Sequence, residues 1–151
     1  MGPRDIKIRL MVASDLEEVM RIDRKVLNAS RRDYYEHKFE LLFGSGEYLP
    51  TSLVAVGKEG KVVGFIMGEV YHGEFGISNT GAFVDTVGVD PEYQKLGVGK
   101  MLMDEFVKHV KELGVKKIHT LIDKTFVGLT KYFGANGFSP SKGVVAMDRD
   151  I

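Results

Sequence analysis

The sequence predicts an α/β protein: one twisted, mostly antiparallel sheet of about six to seven strands with helices on both faces, in a single domain spanning residues 1–151. Three observations carry this expectation. Apolar, β-branched runs stand close together in the middle of the chain, joined by glycine-rich turn signals, which is the pattern of an antiparallel meander. Amphipathic segments with cap signals precede that block. A strand, helix, strand order follows it, so the sheet is mixed and needs helices on both faces. A chain of this length buries roughly 70 % of the surface it exposes when unfolded, and no repeat, low-complexity run or linker divides it.

Residues 6–11 alternate as IKIRLM, a short strand. Ser14 and Glu17 form a capping-box pattern ahead of Val19, Met20 and Leu27, which predicts the first helix. Ser30 and Asp33 repeat a cap signal before Tyr34, Tyr35, Phe39, Leu42 and Phe43, a second helix expected to end near Gly44 and Gly46. Residues 52–56 and 62–71 read as strands joined by a hairpin at Gly57, Lys58, Glu59 and Gly60. A polar, glycine-rich loop spans 72–81, and 82–89 resumes as a strand. Val98, Met101, Leu102, Phe106, Val110 and Leu113 then recur at helical spacing, with Gly114 as the expected C-cap. Residues 117–122 predict a strand, 126–133 a short helix and 144–147 a last strand.

Composition narrows the function. Twenty-one basic side chains balance 21 acidic ones, so no overall field recruits nucleic acid or an anionic membrane. No apolar run approaches the ~18 residues of a membrane span, and MGPRDIKIRL lacks the apolar core of a signal peptide; the chain reads as cytoplasmic. With no cysteine there is no disulfide, thiolate metal site or Cys nucleophile, and His37, His72, His109 and His119 lack metal-ligand spacing, so no metal is expected. Any thiol chemistry must come with a ligand.

The most informative stretch is 87–102, VGVDPEYQKLGVGKML. It sets a glycine-rich turn, Gln94, Lys95, Leu96, Gly97, Val98 and Gly99, between a β-branched strand and an amphipathic helix. Such a turn lets successive N–H groups converge on an anion at a helix N-terminus, the expected guest being a phosphate or pyrophosphate. A Walker A loop ending at Lys100 would need glycine at 94 and Ser or Thr at 101, where Gln94 and Met101 stand. A dinucleotide fingerprint starting at Gly97 would need glycine at 102, where Leu102 stands. ATP and NAD are both disfavoured. Gly97 and Gly99 alone are equally compatible with a plain tight turn.

The extended pattern resembles the acyl-CoA pyrophosphate signature of the GNAT superfamily of N-acetyltransferases: Gln or Arg, two residues, Gly, one residue, then Gly or Ala, here Gln94, Gly97 and Gly99. The Val-Asp-Pro-Glu-Tyr run at 89–93 and the NGF at 136–138 are similar to the family as well, and the element order agrees from about residue 4 to 148. The resemblance implies a GNAT-like fold and acetyl-CoA as donor. It implies that Val87, Gly88 and Val89 meet the pantetheine arm as an added strand while Gln94, Lys95, Leu96, Gly97, Val98, Gly99 and Lys100 cradle the pyrophosphate. Lys95 and Lys100 either add charge there or are solvated surface lysines.

A thioester needs no enzyme nucleophile. It needs a neutral amine, and only about one in a thousand lysine-type amines is unprotonated at pH 7; a base contributes roughly 10²-fold or more. A strand N–H near Val87 is expected to meet the oxyanion. Asp85, two residues before Val87, is the first candidate base, its alternative reading being a strand-end carboxylate facing solvent or paired with a lysine. Glu69 is the runner-up, with Glu74 and His72 behind it. The resemblance implies a tyrosine acid four residues before the Gly of GF, yet Phe133 stands there; either one extra residue at the helix end brings Tyr132 into register, or solvent protonates the thiolate. The asparagine usual near the start of that helix is also missing, with Thr125 or Phe126 in its place. The acceptor is expected near residues 27–33 and 72–80, with Tyr34 and Tyr35 lining it or, alternatively, sending one ring to the core. These readings predict an N-acetyltransferase acting on a primary amine of a small molecule, peptide N-terminus or lysine, as monomer or homodimer. The rival is a non-catalytic acyl-CoA-binding or sensing module.

Overall fold

The computed structural model describes residues 5–73 and 80–151. Two compact units divide the chain, 1–120 and 121–151. The first holds one open sheet of five strands in chain order: β1 (Lys7–Leu10), β2 (Leu53–Val56), β3 (Val62–His72), β4 (Thr80–Val89) and β5 (Ile118–His119). The pairs from β1 to β4 run antiparallel, and β5 joins β4 in parallel. Helices α1 (Leu16–Leu27), α2 (Arg32–Phe39) and α3 (Val98–Glu112) belong to the same unit, and α4 (Val127–Ala135) to the second. Among the described residues no helix is long and apolar enough to cross a membrane.

The mixed α/β class stands as predicted, and β3 shows why helices are needed on both faces. Phe65 and Met67 pack with Val19, Met20 and Ile22 of α1 and with Tyr35 and Phe39 of α2. On either side of them in sequence, Gly64 lies beneath Val98 and Leu102 of α3, and Gly68 beneath Phe106. Alternation thus sends successive residues to opposite helical layers.

Three expectations need correction. The sheet has five strands among the described residues, not six to seven. Residues 144–147 are not a strand: they belong to no ladder, and Val145 is 80 % and Met147 87 % exposed; an apolar, β-branched run makes a strand only when a partner completes its hydrogen bonds. The strand expected at 117–122 shortens to two residues, because beyond the Phe83↔His119 pair the hydroxyl of Thr120, not its backbone, donates to the Val84 carbonyl (2.9 Å). The cap signals also resolve differently. Asp15, not Ser14, organises the start of α1, accepting from Val12 N–H (2.8 Å) and from both arms of Arg9 (2.9 Å each). Helix α2 has no side-chain cap, and its last expected turn widens into a π-turn over Glu40–Gly44.

Candidate active site

The site begins with the ladder between β3 and β4. Met67 pairs with Thr86 and Gly68 with Val84, so Asp85 is an extra residue, a β-bulge. A regular strand sends neighbouring side chains to opposite faces; the bulge lets Asp85 and Thr86, consecutive in sequence, both reach α2. Thr86 shares a hydrogen bond with the Tyr34 hydroxyl (2.8 Å), and Asp85 forms an ion pair with Lys38 (2.9 Å).

Beyond the bulge the phase of the ladder decides which backbone groups point outward. Asp90 N–H donates to Val63 O (2.8 Å), which makes Gly64↔Val89 a non-hydrogen-bonded pair and, by alternation, turns the backbone groups of Thr86 and Gly88 toward β3 and those of Val87 and Val89 away from it. β5 pairs no further along β4 than Phe83, so it leaves this second half of the strand without a ladder. Of the three positions expected along the pantetheine arm, Val87 and Val89 present an outward edge and Gly88 does not.

The strand then runs into the glycine turn. Asp90, fully buried, is held by Arg21 (3.0 Å) and Lys25 (2.9 Å) and accepts from Glu92 N–H (3.1 Å), which caps a 3-10 turn at Pro91–Tyr93. Gln94 folds back, its Nε2 donating to Val89 O (3.1 Å). Lys95 (φ 67°) and Gly97 (φ 81°) take left-handed conformations, and Gly97 stands at the N-cap of α3. A Cβ at Gly97 would meet no protein atom within 4 Å. The N–H groups of Val98, Gly99 and Lys100 occupy the first turn, ahead of the Met101 N–H to Gly97 O bond (3.0 Å) that opens the helical ladder. Lys95 is exposed, Leu96 half-buried, and Lys100 pairs along its own helix with Asp104 (2.8 Å). An outward strand edge leading into left-handed turn residues and a 15-residue helix fits an extended amide arm ending in a diphosphate.

Glu69 and Asp85, named from sequence as alternative bases, belong to one cluster. Lys38 Nζ lies 2.9 Å from Asp85 Oδ2 and 3.7 Å from Glu69 Oε1. Burial, then the neighbouring Asp85 carboxylate, push Glu69 up to about 8, against the opposing pull of Lys38. Glu69 Oε2 and Asp85 Oδ2 are buried oxygens without a directed hydrogen bond; the close Lys38 contact of Asp85 is an ion pair by distance, not an aligned bond. The pairing of Asp85 with a lysine, foreseen only as an alternative to a catalytic role, coexists here with a raised neighbouring carboxyl.

Lys38 itself was not singled out from the sequence. The available signal was its position four residues after Tyr34, which puts both on one stripe of α2. Tyr35 takes the core reading, fully buried with its hydroxyl donating to Asp23 Oδ1 (2.7 Å). Tyr34 is half-buried and helps line an open depression of about 530 Å³ with Ser30, Arg31, Arg32 and Asp33, in the segment expected to meet the acceptor. His72 is engaged with Thr80 (2.9 Å), and Glu74 lies outside the described residues. Tyr132 lies on α4, half-buried, its ring edge-on to that of Phe133 (5.2 Å); Phe133 itself is buried. Among the described residues no three metal-ligating side chains converge.

Residues 16–138 match the Acetyltransferase (GNAT) family. The chain is 30 % identical over 117 residues to an N-alpha-acetyltransferase of Sulfolobus acidocaldarius, covering 70 % of this chain and 62 % of that protein. It is 33 % identical over 87 residues to a mycothiol acetyltransferase of Propionibacterium freudenreichii, covering 58 % of this chain and 27 % of that one. It therefore spans less than two thirds of either curated relative. Among solved structures, an aminoglycoside N-acetyltransferase in complex with CoA superposes with a TM-score of 0.77 at 19 % identity over the whole of both chains. Ard1 from Thermoplasma volcanium does so with a TM-score of 0.72 at 24 % identity, over 89 % of this chain and 83 % of that one. These likenesses place the fold, and the match over 123 of 151 positions (138 − 16 + 1) places the lineage: the chain belongs to the acetyltransferase (GNAT) family, whose members use acetyl-CoA as donor.

Proposed function

We propose that the protein is an N-acetyltransferase that transfers an acetyl group from acetyl-CoA directly to a primary amine, with residues 1–151 acting as one acyltransferase domain. The observation that carries the proposal is the bulge at Asp85, which joins an outward-facing strand edge to a carboxylate pair that begins two residues before it. When bound, acetyl-CoA supplies a thioester already activated toward amines. Val87 and Val89 offer their outward backbone groups to its pantetheine arm, and Gln94 to Lys100 surround its diphosphate. The Glu69–Asp85 pair accepts the proton that the attacking amine must lose. Glu69, at about 8, lies closer to an amine's own affinity for a proton than an ordinary carboxylate does. The Val87 N–H is the proposed donor to the developing oxyanion. Tyr132 is the proposed acid for the leaving thiolate, since Phe133, in the place the family pattern assigns to the acid, has no proton to give.

The test follows release of free CoA with a panel of amines that begins with the acceptors named for the relatives: aminoglycosides and N-alpha amines of proteins. Glu69→Gln and Asp85→Asn are each expected to lower kcat/KM at pH 7 by about 10²-fold while acetyl-CoA binding persists. Gly97→Val is expected to lose binding itself, because valine resists φ 81° and its side chain enters the space left beside the turn. Turnover unchanged in both carboxyl variants would reject the assigned base.

A further inference from the structure

Two carboxylates and one ammonium meet where β3, β4 and α2 converge, and their charges do not balance. With Glu69 and Asp85 both ionised against Lys38, the cluster carries one net negative charge (−2 + 1) on side chains that are each about four-fifths buried, with 17 to 19 % of their surface exposed. One proton relieves the excess, and the geometry is not even-handed about where it goes. Lys38 Nζ stands 2.9 Å from Asp85 but 3.7 Å from Glu69, and attraction falls with distance. Among the described residues, the other ionisable group facing the cluster is Tyr34, one turn earlier on α2, whose hydroxyl is engaged with Thr86.

We propose that Lys38 is a positioning residue that holds Asp85 as the standing anion of the pair and so leaves the exchangeable proton to Glu69. Lys38 acts through the carboxylates rather than on the acceptor. Burial on its own weakens the ammonium's hold on its proton; the contact with Asp85, reinforced by Glu69, more than offsets this and keeps it cationic. Removing that charge leaves two buried carboxylates facing each other with no cation between them, and both then hold protons more tightly. The use made of the proton in acetyl transfer rests on the function proposed above; its place on Glu69 does not.

The experiment titrates the side-chain carboxyls by ¹³C NMR in protein labelled at Asp and Glu, with Glu69 and Asp85 assigned by Glu69→Gln and Asp85→Asn. In the wild type the exchangeable proton is expected on Glu69, with a midpoint at about 8; finding it on Asp85 instead overturns the proposal, and this arm needs no Lys38 variant to fold. In Lys38→Met the Glu69 midpoint is expected to rise by about one pH unit or more. The acid limb of kcat/KM should move with it, so that turnover lost at pH 7 returns under alkaline conditions. Lys38→Arg keeps the charge and is expected to keep both. A Glu69 midpoint that stays put in Lys38→Met, or activity depressed equally at every pH, overturns the proposal. A wild type that acetylates no amine while its Glu69 midpoint still answers to Lys38→Met removes the acetyltransferase reading and upholds the hold of Lys38 on the pair.

Discussion

Asp90 is a fully buried charge that shapes the strand-to-turn junction from a distance. Burial opposes its ionisation, yet Lys25, the Glu92 N–H and Arg21 together hold its carboxyl down at about 2. A depressed carboxyl contributes stability above its unfolded value near 4, and that contribution fades as pH falls through about 2. Asp90→Asn is therefore expected to lower the urea midpoint at pH 7, with the gap to wild type closing as the pH falls from about 4 toward 2; a gap that is constant with pH would show that the charge is not what stabilises. Asp90 was visible in the sequence as part of VDPEY, but its partners were not, since Arg21 and Lys25 lie 69 and 65 residues away on α1. The same holds across the candidate site. Asp85 was legible because it sits on the strand that runs into the glycine turn, and Glu69 because it sits on the strand before it. Lys38 was not, because a lysine on a short helix reads as solvated surface until the sheet beneath it is known.

The helix ends show which local signals survive tertiary structure. Gly137 (φ 92°) follows α4, with Gly137 N–H donating to Gly134 O (3.2 Å) and Phe138 N–H to Phe133 O (3.0 Å), while the rings of Phe138 and Phe133 meet at 5.0 Å. This is a Schellman stop with its hydrophobic contact, and it gives a physical reason for the NGF sequence: asparagine ends the helix, glycine turns left-handed, and phenylalanine returns to the helix. Gly137→Ala is expected to cost about 1–2 kcal/mol, read as a lower denaturation midpoint; no change would mean that this turn is not needed for the fold. Gly114 ends α3 as expected, Gly114 N–H bonding to Lys111 O (3.1 Å). Signals that depend on a partner fared worse. Residues 144–147 had the composition of a strand and form no ladder, and Ser14 with Glu17 had the spacing of a cap that Asp15 and Arg9 displaced.

For the molecule as a whole, the alternation of apolar runs and amphipathic segments was enough to foresee a mixed sheet between helical layers, since each face of a sheet and each apolar stripe needs a cover. Strand number was not foreseeable, because it depends on pairing. The glycine turn foretold a ligand class, which yields a whole-protein prediction: acetyl-CoA at 100 times its dissociation constant should add about 2.7 kcal/mol, or roughly 5–10 °C in Tm for a chain of this size, with ATP and NAD producing no comparable rise. A rise with ATP alone would overturn the assignment of the turn. The bulge at Asp85 also changes how β4 is to be read. Before it, even-numbered residues such as Val84, paired with Gly68, face α3; after it, odd-numbered residues such as Val87 and Val89, paired with Ile66 and Gly64, do so. One strand is written in two opposite parities, with the switch at the carboxylate. Deleting the extra residue would restore a continuous pleat with Val84 and Thr86 still opposite Gly68 and Met67, whereas forcing Asp85 into a regular pleat without deletion would turn Thr86 to Val89 over, so that the threonine and glycine face α3 and the valines face α2 and α1. The bulge that sets out the carboxylate proposed for chemistry is thus also what absorbs one residue too many and keeps the two halves of the strand in phase with their separate layers.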